Sequence, residues 1–164
     1  MLFRSNAPGI GATVAGGFGN TAGHDYGTVS GGNLNNTDGY YSAIGGGYNN
    51  LASWYYSTVG GGYANQSAYY YTTVGGGLNN IANGFYSTIP GGYWNTASGS
   101  GSFAAGTNAK AYANGSFVLA DYAPGTDLGS FSANEFHARF RGGFGLWTTT
   151  SHTFGCWINA GGGS

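Results

Sequence analysis

The chain has 164 residues, of which 35 are Gly and only nine carry a formal charge (four Lys or Arg, five Asp or Glu), giving a net charge of −1. Four basic residues cannot neutralise a run of phosphates, which excludes nucleic acid as a partner. Disorder is excluded as well, because disordered chains are poor in aromatics and rich in net charge, whereas this one holds 14 Tyr, 10 Phe and 4 Trp.

Residues 1–12 form an N-terminal segment. Its start, Met1-Leu2-Phe3-Arg4-Ser5-Asn6-Ala7-Pro8, turns polar at once, and no run elsewhere is apolar for membrane length. Neither a secretory leader nor membrane insertion is expected. From residue 13 a repeat takes over. An aliphatic anchor recurs at Val14, Val29, Ile44, Val59, Val74 and Ile89, fifteen residues apart each time. The second and third residues after each anchor are Gly, from Gly16-Gly17 to Gly91-Gly92. The sixth is always Asn: Asn20, Asn35, Asn50, Asn65, Asn80 and Asn95. The eighth is small (Ala22, Thr37, Ala52, Ser67, Ala82, Ala97), and the twelfth is Tyr in five copies: Tyr26, Tyr41, Tyr56, Tyr71 and Tyr86.

Fifteen residues without helical periodicity hold two short strands and two turns, one coil of a parallel β-solenoid. The fold class is therefore all-β. Within Tyr56-Ser57-Thr58-Val59, alternation puts Val59 and Ser57 inside and Tyr56 and Thr58 outside. The Gly pair suits a sharp corner. The Asn column is expected at the second corner, tolerating left-handed backbone and hydrogen-bonding to backbone or to its neighbour one coil away. Six to seven coils make a rod of roughly 30 Å. Its interior, a Val/Ile column and an Ala column, is thin for a monomer, so burial between chains is expected, with the Tyr columns as the seam.

The fifteen-residue coils run to about residue 103. Gly101-Ser102-Phe103-Ala104-Ala105-Gly106 then recurs as Gly115-Ser116-Phe117-Val118-Leu119-Ala120, an interval of fourteen. On this reading the solenoid spans residues 13–121. Residues 122–164 are a loop followed by a C-terminal β neck or cap, with the stretch 121–132, which contains Pro124-Gly125, read as loop. Glu135-Phe136-His137-Ala138-Arg139-Phe140-Arg141 alternates like a strand.

Gly106-Thr107-Asn108-Ala109-Lys110-Ala111-Tyr112-Ala113-Asn114-Gly115-Ser116-Phe117-Val118-Leu119 resembles the head repeat of trimeric autotransporter adhesins and haemagglutinins. That resemblance implies a left-handed β-roll assembled as a homotrimer. Ser132-Ala133-Asn134-Glu135-Phe136 with Arg141-Gly142-Gly143-Phe144 is similar to the stretch preceding the endosialidase-type C-terminal intramolecular chaperone of phage tail fibres and spikes. This second resemblance implies that Gly161-Gly162-Gly163-Ser164 is a mature end left by self-cleavage.

Chemistry is sparse. His24, His137 and His152 stand in no nucleophile motif, and Cys156, near His152 only in sequence, reads as a packed thiol. Asp25 and Asp38 occupy different repeat positions, against paired carboxylates for glycoside hydrolysis. Calcium-binding solenoids carry Asp in every turn, whereas only two of these six copies contain one. No catalytic residue, metal or cofactor is assigned, and the chain is read as non-enzymatic. The aromatics Trp54, Tyr55, Tyr69, Tyr70, Tyr40 and Phe85 recur at one place on successive coils and are the candidate receptor or glycan contacts. Thr28, Thr58, Thr73 and Thr88 form a column that raises ice binding as a minor alternative, interrupted by Ala43. The leading expectation is a phage tail fibre, spike or capsid-decorating fibre located on the virion. A bacterial extracellular fibre or surface adhesin, self-polymerising or not, is the alternative.

Overall fold

The structure, a computed structural model, describes residues 4–147 and 155–158, the pairs of strands at 144–147 and 155–158 by their backbone only. The first three residues of the N-terminal segment, His152 and residues 161–164 lie outside the described residues.

The chain is a parallel β-solenoid. One sheet stacks nine rungs in chain order: Thr13–Val14, Thr28–Val29, Ala43–Ile44, Thr58–Val59, Thr73–Val74, Thr88–Ile89, Phe103–Thr107, Phe117–Ala120 and Phe136–Arg139. A second sheet stacks eight, from Thr21–Ala22 through Asn36–Thr37, Leu51–Ala52, Gln66–Ser67, Ile81–Ala82, Thr96–Ala97 and Ala109–Ala111 to Leu128–Gly129. A third line of single bridges joins Phe18, Asn33, Tyr48, Tyr63, Leu78 and Tyr93 along one corner. The pairing register is fifteen residues up to Thr88↔Phe103 and fourteen at Phe103↔Phe117. Nine rungs at about 4.8 Å give a rod of roughly 40 Å.

Inside, the anchors Val29, Ile44, Val59, Val74, Ile89, Ala104 and Val118 are sealed from solvent and face the buried small column of Ala22, Thr37, Ala52, Ser67, Ala82, Ala97 and Ala111. Polar columns share the interior. Ser42, Ser57, Thr72, Ser87, Ser102 and Ser116 are buried, and Ser57 Oγ donates to the Trp54 carbonyl at 2.6 Å. A rod this narrow cannot fill its centre with apolar side chains, so polar columns close it instead, hydrogen-bonded for the most part, with the buried hydroxyls of Thr37 and Ser102 left without a partner.

The asparagine column is hydrogen-bonded to backbone and to its neighbour one coil away, as expected, but its backbone differs from expectation. None of the six adopts left-handed backbone; the residue before each does so in all six copies, at Gly19, Leu34, Asn49, Ala64, Asn79 and Trp94. The six Asn side chains are themselves fully buried. Asn65 shows the pattern: Nδ2 donates to the carbonyls of Gly61 in its own coil and Gly77 in the next, and Oδ1 accepts from both the backbone N–H and Nδ2 of Asn80. From Leu34 to Trp94 the left-handed residue turns its own N–H back to the preceding coil, as Ala64 N does to the Tyr48 carbonyl at 2.9 Å, so that backbone amide is paired. Room for the Asn amide comes from the third-position glycine. At Gly62, with φ at 89°, an added Cβ would lie 2.2 Å from the Gly77 carbonyl oxygen and 2.7 Å from Asn65 Nδ2.

Two boundaries also differ. Leu128–Gly129 pairs in parallel with Ala109–Ala111, and Phe136–Arg139 with Phe117–Ala120, so coiling continues beyond residue 121 and the stretch 121–132 is not all loop. Phe117 pairs with Phe136, nineteen residues on, because residues 121–127 bulge out before the chain rejoins the second sheet. The expected neck therefore begins as one more coil. After it, Phe144–Trp147 and Gly155–Ile158 form an antiparallel pair, with Cys156 in the second strand.

Candidate aromatic binding edge

The corner that carries the candidate contacts links the small-residue strand of each coil to the anchor strand. It is a tight turn: the Ser57 N–H donates to the Trp54 carbonyl at 3.1 Å, and the Ser87 N–H to the Gly84 carbonyl at 2.9 Å. The third residue of this turn is left-handed, a place that favours Gly or Asn. Gly11, Gly101 and Gly115 fill it in flanking coils and Asn134 in the last, but in five consecutive coils it is Tyr26, Tyr41, Tyr56, Tyr71 and Tyr86, with φ from 56° to 60°. These tyrosines thus belong to turns and not to the strand that ends at the anchor, because each N–H must point back one coil, as Tyr56 N does to the Tyr40 carbonyl.

The five rings stack face to face along the rod at centroid spacings of 4.8, 5.1, 5.0 and 5.1 Å, with planes within 7° except the last pair at 25°. Beside them Tyr40, Tyr55 and Tyr70 form a second ladder at 4.9 and 5.4 Å. Trp54 and Tyr69, which precede this ladder by one residue, tilt against it: Trp54 lies 5.1 Å from Tyr70 at 44°, and Tyr69 meets Tyr70 edge on. Phe85 closes the group, T-shaped against Tyr86 at 4.1 Å. Trp54, Tyr55 and Tyr69 are exposed, whereas Tyr40, Tyr70 and Phe85 are half-buried.

This geometry changes what the candidates can do. A sugar stacks on a free aromatic face. In both ladders the faces are spent on neighbouring rings, so what reaches solvent is a row of ring edges and phenol hydroxyls. Trp54 and Tyr69 are instead tilted out of the stacks. Trp54, Tyr40 and Tyr55 line an open cleft of about 200 Å³ with His24, Asp38, Gly39 and Ser53, and His24 Nε2 stands 3.5 Å from Asp38 Oδ1 at its mouth.

The opposite corner carries aromatics that the sequence reading did not single out. Tyr48 and Tyr63 stack at 5.1 Å, and Phe18, Tyr93 and Trp94 are exposed. A second cleft of about 450 Å³ lies between Tyr93, Trp94, Thr107 and Asn108 and the bulge residues Tyr122, Pro124, Gly125 and Asp127. The sequence signal was the fourth position after each anchor, which reads Phe18, Asn33, Tyr48, Tyr63, Leu78, Tyr93 and is too mixed to stand out. The Thr column lies on the outer side of the anchor strand; beyond Ala43 and Thr88 it gives way to Phe103, Phe117 and Phe136, stacked at 4.2 and 5.6 Å.

Charged groups are held in structural contacts. Asp25 accepts the Ile10 N–H at 2.8 Å. Asp121 accepts from Arg139 Nε at 3.0 Å and from the Arg141 N–H, and chiefly that backbone bond holds its pKa below the ordinary carboxylate value. Glu135 is lowered in the same way by the N–H groups of Ser132 and Phe131, with a smaller effect of His137. Lys110 Nζ donates to the Trp94 carbonyl, and burial depresses its pKa against the pull of Asp127. Among the described residues no group of three or more His, Cys, Asp or Glu is placed to hold a metal ion.

The chain matches no known family model and no curated protein.

Proposed function

We infer that this chain is a non-enzymatic fibre segment that attaches to a host-surface glycan through the aromatic edge formed by residues 23–27, 38–42, 53–57, 68–72 and 83–87. The observation that carries the reading is the run of five tyrosines in left-handed backbone, where neighbouring coils use Gly or Asn. Each tyrosine there costs about 1–2 kcal/mol of backbone energy. Strain retained in consecutive coils points to selection for what the side chains present.

The assembly proposed is the left-handed homotrimer that the adhesin-like repeat implies. In place of the tyrosine seam expected from the sequence, its seam is proposed at the C-terminal coils, where Phe103, Phe117 and Phe136 form an outward apolar stack and Phe136 is 60% exposed. That arrangement leaves the tyrosine edge free. The fibre is proposed to sit on a phage virion; on a bacterial surface the same edge would serve an adhesin.

Fluorescently labelled protein should bind host cells, and Trp54→Ala combined with Tyr55→Ala should reduce binding at least about tenfold, the loss of roughly 1.4 kcal/mol. Undiminished binding by the double variant would overturn the assignment of the edge. Sedimentation should give a trimer that Phe117→Ser dissociates, and a folded wild-type monomer would sink the assembly. Labelled-antibody micrographs should mark virions; labelled cell surfaces would move the fibre to the bacterium.

A further inference from the structure

The tyrosine ladder presents one hydroxyl per coil, and the coil spacing is fixed by backbone pairing. Among the described residues none of the hydroxyls of Tyr26, Tyr41, Tyr56, Tyr71 and Tyr86 is hydrogen-bonded within the chain, while each ring is between 44% and 56% exposed. Every hydroxyl can both donate and accept. Tyr56, Tyr71 and Tyr86 lie in the stretch from Gly39 to Ala109 that has no charged side chain, so the field along those three rungs is that of dipoles, while Asp25 and the His24–Asp38 pair flank the first two. A charged polymer would meet nothing at the neutral rungs to offset the loss of its hydration, and a polyanion would meet carboxylates at the others.

Resting on the glycan-binding reading above, we propose that the ladder binds a neutral, extended β-linked polysaccharide lying parallel to the rod axis, with one sugar in register with each tyrosine. An extended β1→4-linked hexose chain advances per sugar by slightly more than the rise of one solenoid coil, about 4.8 Å, and turns each sugar over relative to the last, so successive phenols meet opposite edges of successive sugars. The ring spacings of 4.8 to 5.1 Å therefore keep phenols and sugars in step over all five positions. Recognition is by hydrogen bonds from ring edges to sugar hydroxyls, since the stacked faces are closed to a sugar. Each contact is weak in water, because it replaces bonds to solvent. Binding strength comes from repetition: once one sugar is seated, the next is held at its own phenol at high effective concentration.

The ladder's end can also be moved. Tyr86 is the most exposed of the five at 56%, and the next coil has Gly101 at φ 65°, where an added Cβ meets nothing within 4 Å. Gly101→Tyr should add a sixth phenol in the same backbone conformation.

Titration calorimetry of the full chain with β1→4-linked N-acetylglucosamine and glucose oligomers of increasing length tests this. Affinity should climb with each added sugar and level off at five, the number of phenols in the ladder. Tyr56→Phe, which keeps the stack and removes the central hydroxyl, should weaken the pentamer about tenfold and leave the monosaccharide unchanged. Gly101→Tyr should move the plateau to the hexamer. A plateau at one or two sugars, with Tyr56→Phe unaltered, would overturn the in-register binding and leave the attachment reading standing on the Trp54 cleft. Absence of binding to either series would also overturn it, and the cell-binding assay would then decide the attachment reading independently.

Discussion

Residues 39–109 contain no charged side chain, whereas residues 121–141 hold five of the nine: Asp121, Asp127, Glu135, Arg139 and Arg141. Both regions continue the same parallel stacking, but they close it by different chemistry. In the neutral coils the glycine corner is fixed each time by the same amide, each Asn bonded to two glycine carbonyls and to the next Asn. The ladder ends where Ala109 N donates to Asn95 Oδ1 and the alanine has no amide to pass on. Beyond that point the bulge at 121–127 breaks the period, and single charge-assisted bonds hold what a column cannot. The Arg139 guanidinium reaches the carbonyls of Asp121, Thr126 and Asp127 as well as the Asp121 carboxylate. Repetition suits identical coils, and an irregular one needs its own contacts.

The sharpest way to break this comparison is at a glycine in each region. Gly62→Ala should cost about 3 kcal/mol or more, because left-handed strain adds to a Cβ placed 2.2 Å from the Gly77 oxygen. Gly125→Ala in the bulge, at φ 71° with nothing within 4 Å, should cost only the strain, about 1–2 kcal/mol. Denaturant midpoints of the two variants would measure the difference, and equal losses would mean that coil packing is looser than the structure places it.

Next in size is the amide ladder. Asn65→Ala strips a partner from the Asn80 N–H and from the carbonyls of Gly61 and Gly77. At about 1–3 kcal/mol for a buried group left unsatisfied, a loss near 3 kcal/mol is expected. Because coils interact mainly with their neighbours, amide exchange should rise most in residues 61–80 and fade along the rod. A uniform rise would show that the rod opens as one unit.

Acid should separate the regions without any mutation. Asp121 and Glu135 have folded pKa values below their ordinary ones. Their contribution to stability is therefore complete above the ordinary carboxylate range and is lost as pH falls through it towards the depressed folded values. At about pH 3, below the ordinary carboxylate range of ~4, pepsin should cut within residues 121–141 while sparing residues 39–109. Asp121→Asn should bring that cleavage to higher pH. Early cutting within the neutral coils would defeat the comparison.

The contrast also explains what was legible in the sequence. The fifteen-residue period, the inward Val/Ile and small columns and the parallel β-solenoid follow from side-chain type at fixed spacing, which is a property of each copy alone. The burial of the Asn side chains was harder to see, because Asn at a corner reads equally well as a left-handed residue. Only the space beside the third-position glycine and the acceptors in two coils decide it. The turn position of the tyrosines was hidden by the opposite effect: bulky Tyr argues for strand, and backbone pairing to the previous coil overrides that preference. The coil after residue 121 was missed because its register of nineteen matches no neighbour.

The smallest expected effect says most about the tyrosine edge. Tyr56→Asn loses two stacking contacts, each worth about 0.5–1.5 kcal/mol, and relieves backbone strain of about 1–2 kcal/mol at a position where Asn is tolerated, as Asn134 shows in the last coil. The two nearly cancel, so a net loss of about 1 kcal/mol is expected in denaturant unfolding, and the coil should keep its register. A loss near that of Asn65→Ala would make the ladder a structural column like the asparagines. Near-neutrality would mean that five strained tyrosines persist where Gly or Asn holds the coil as well, and the reason for them must then lie in what their exposed edges and hydroxyls meet outside the chain.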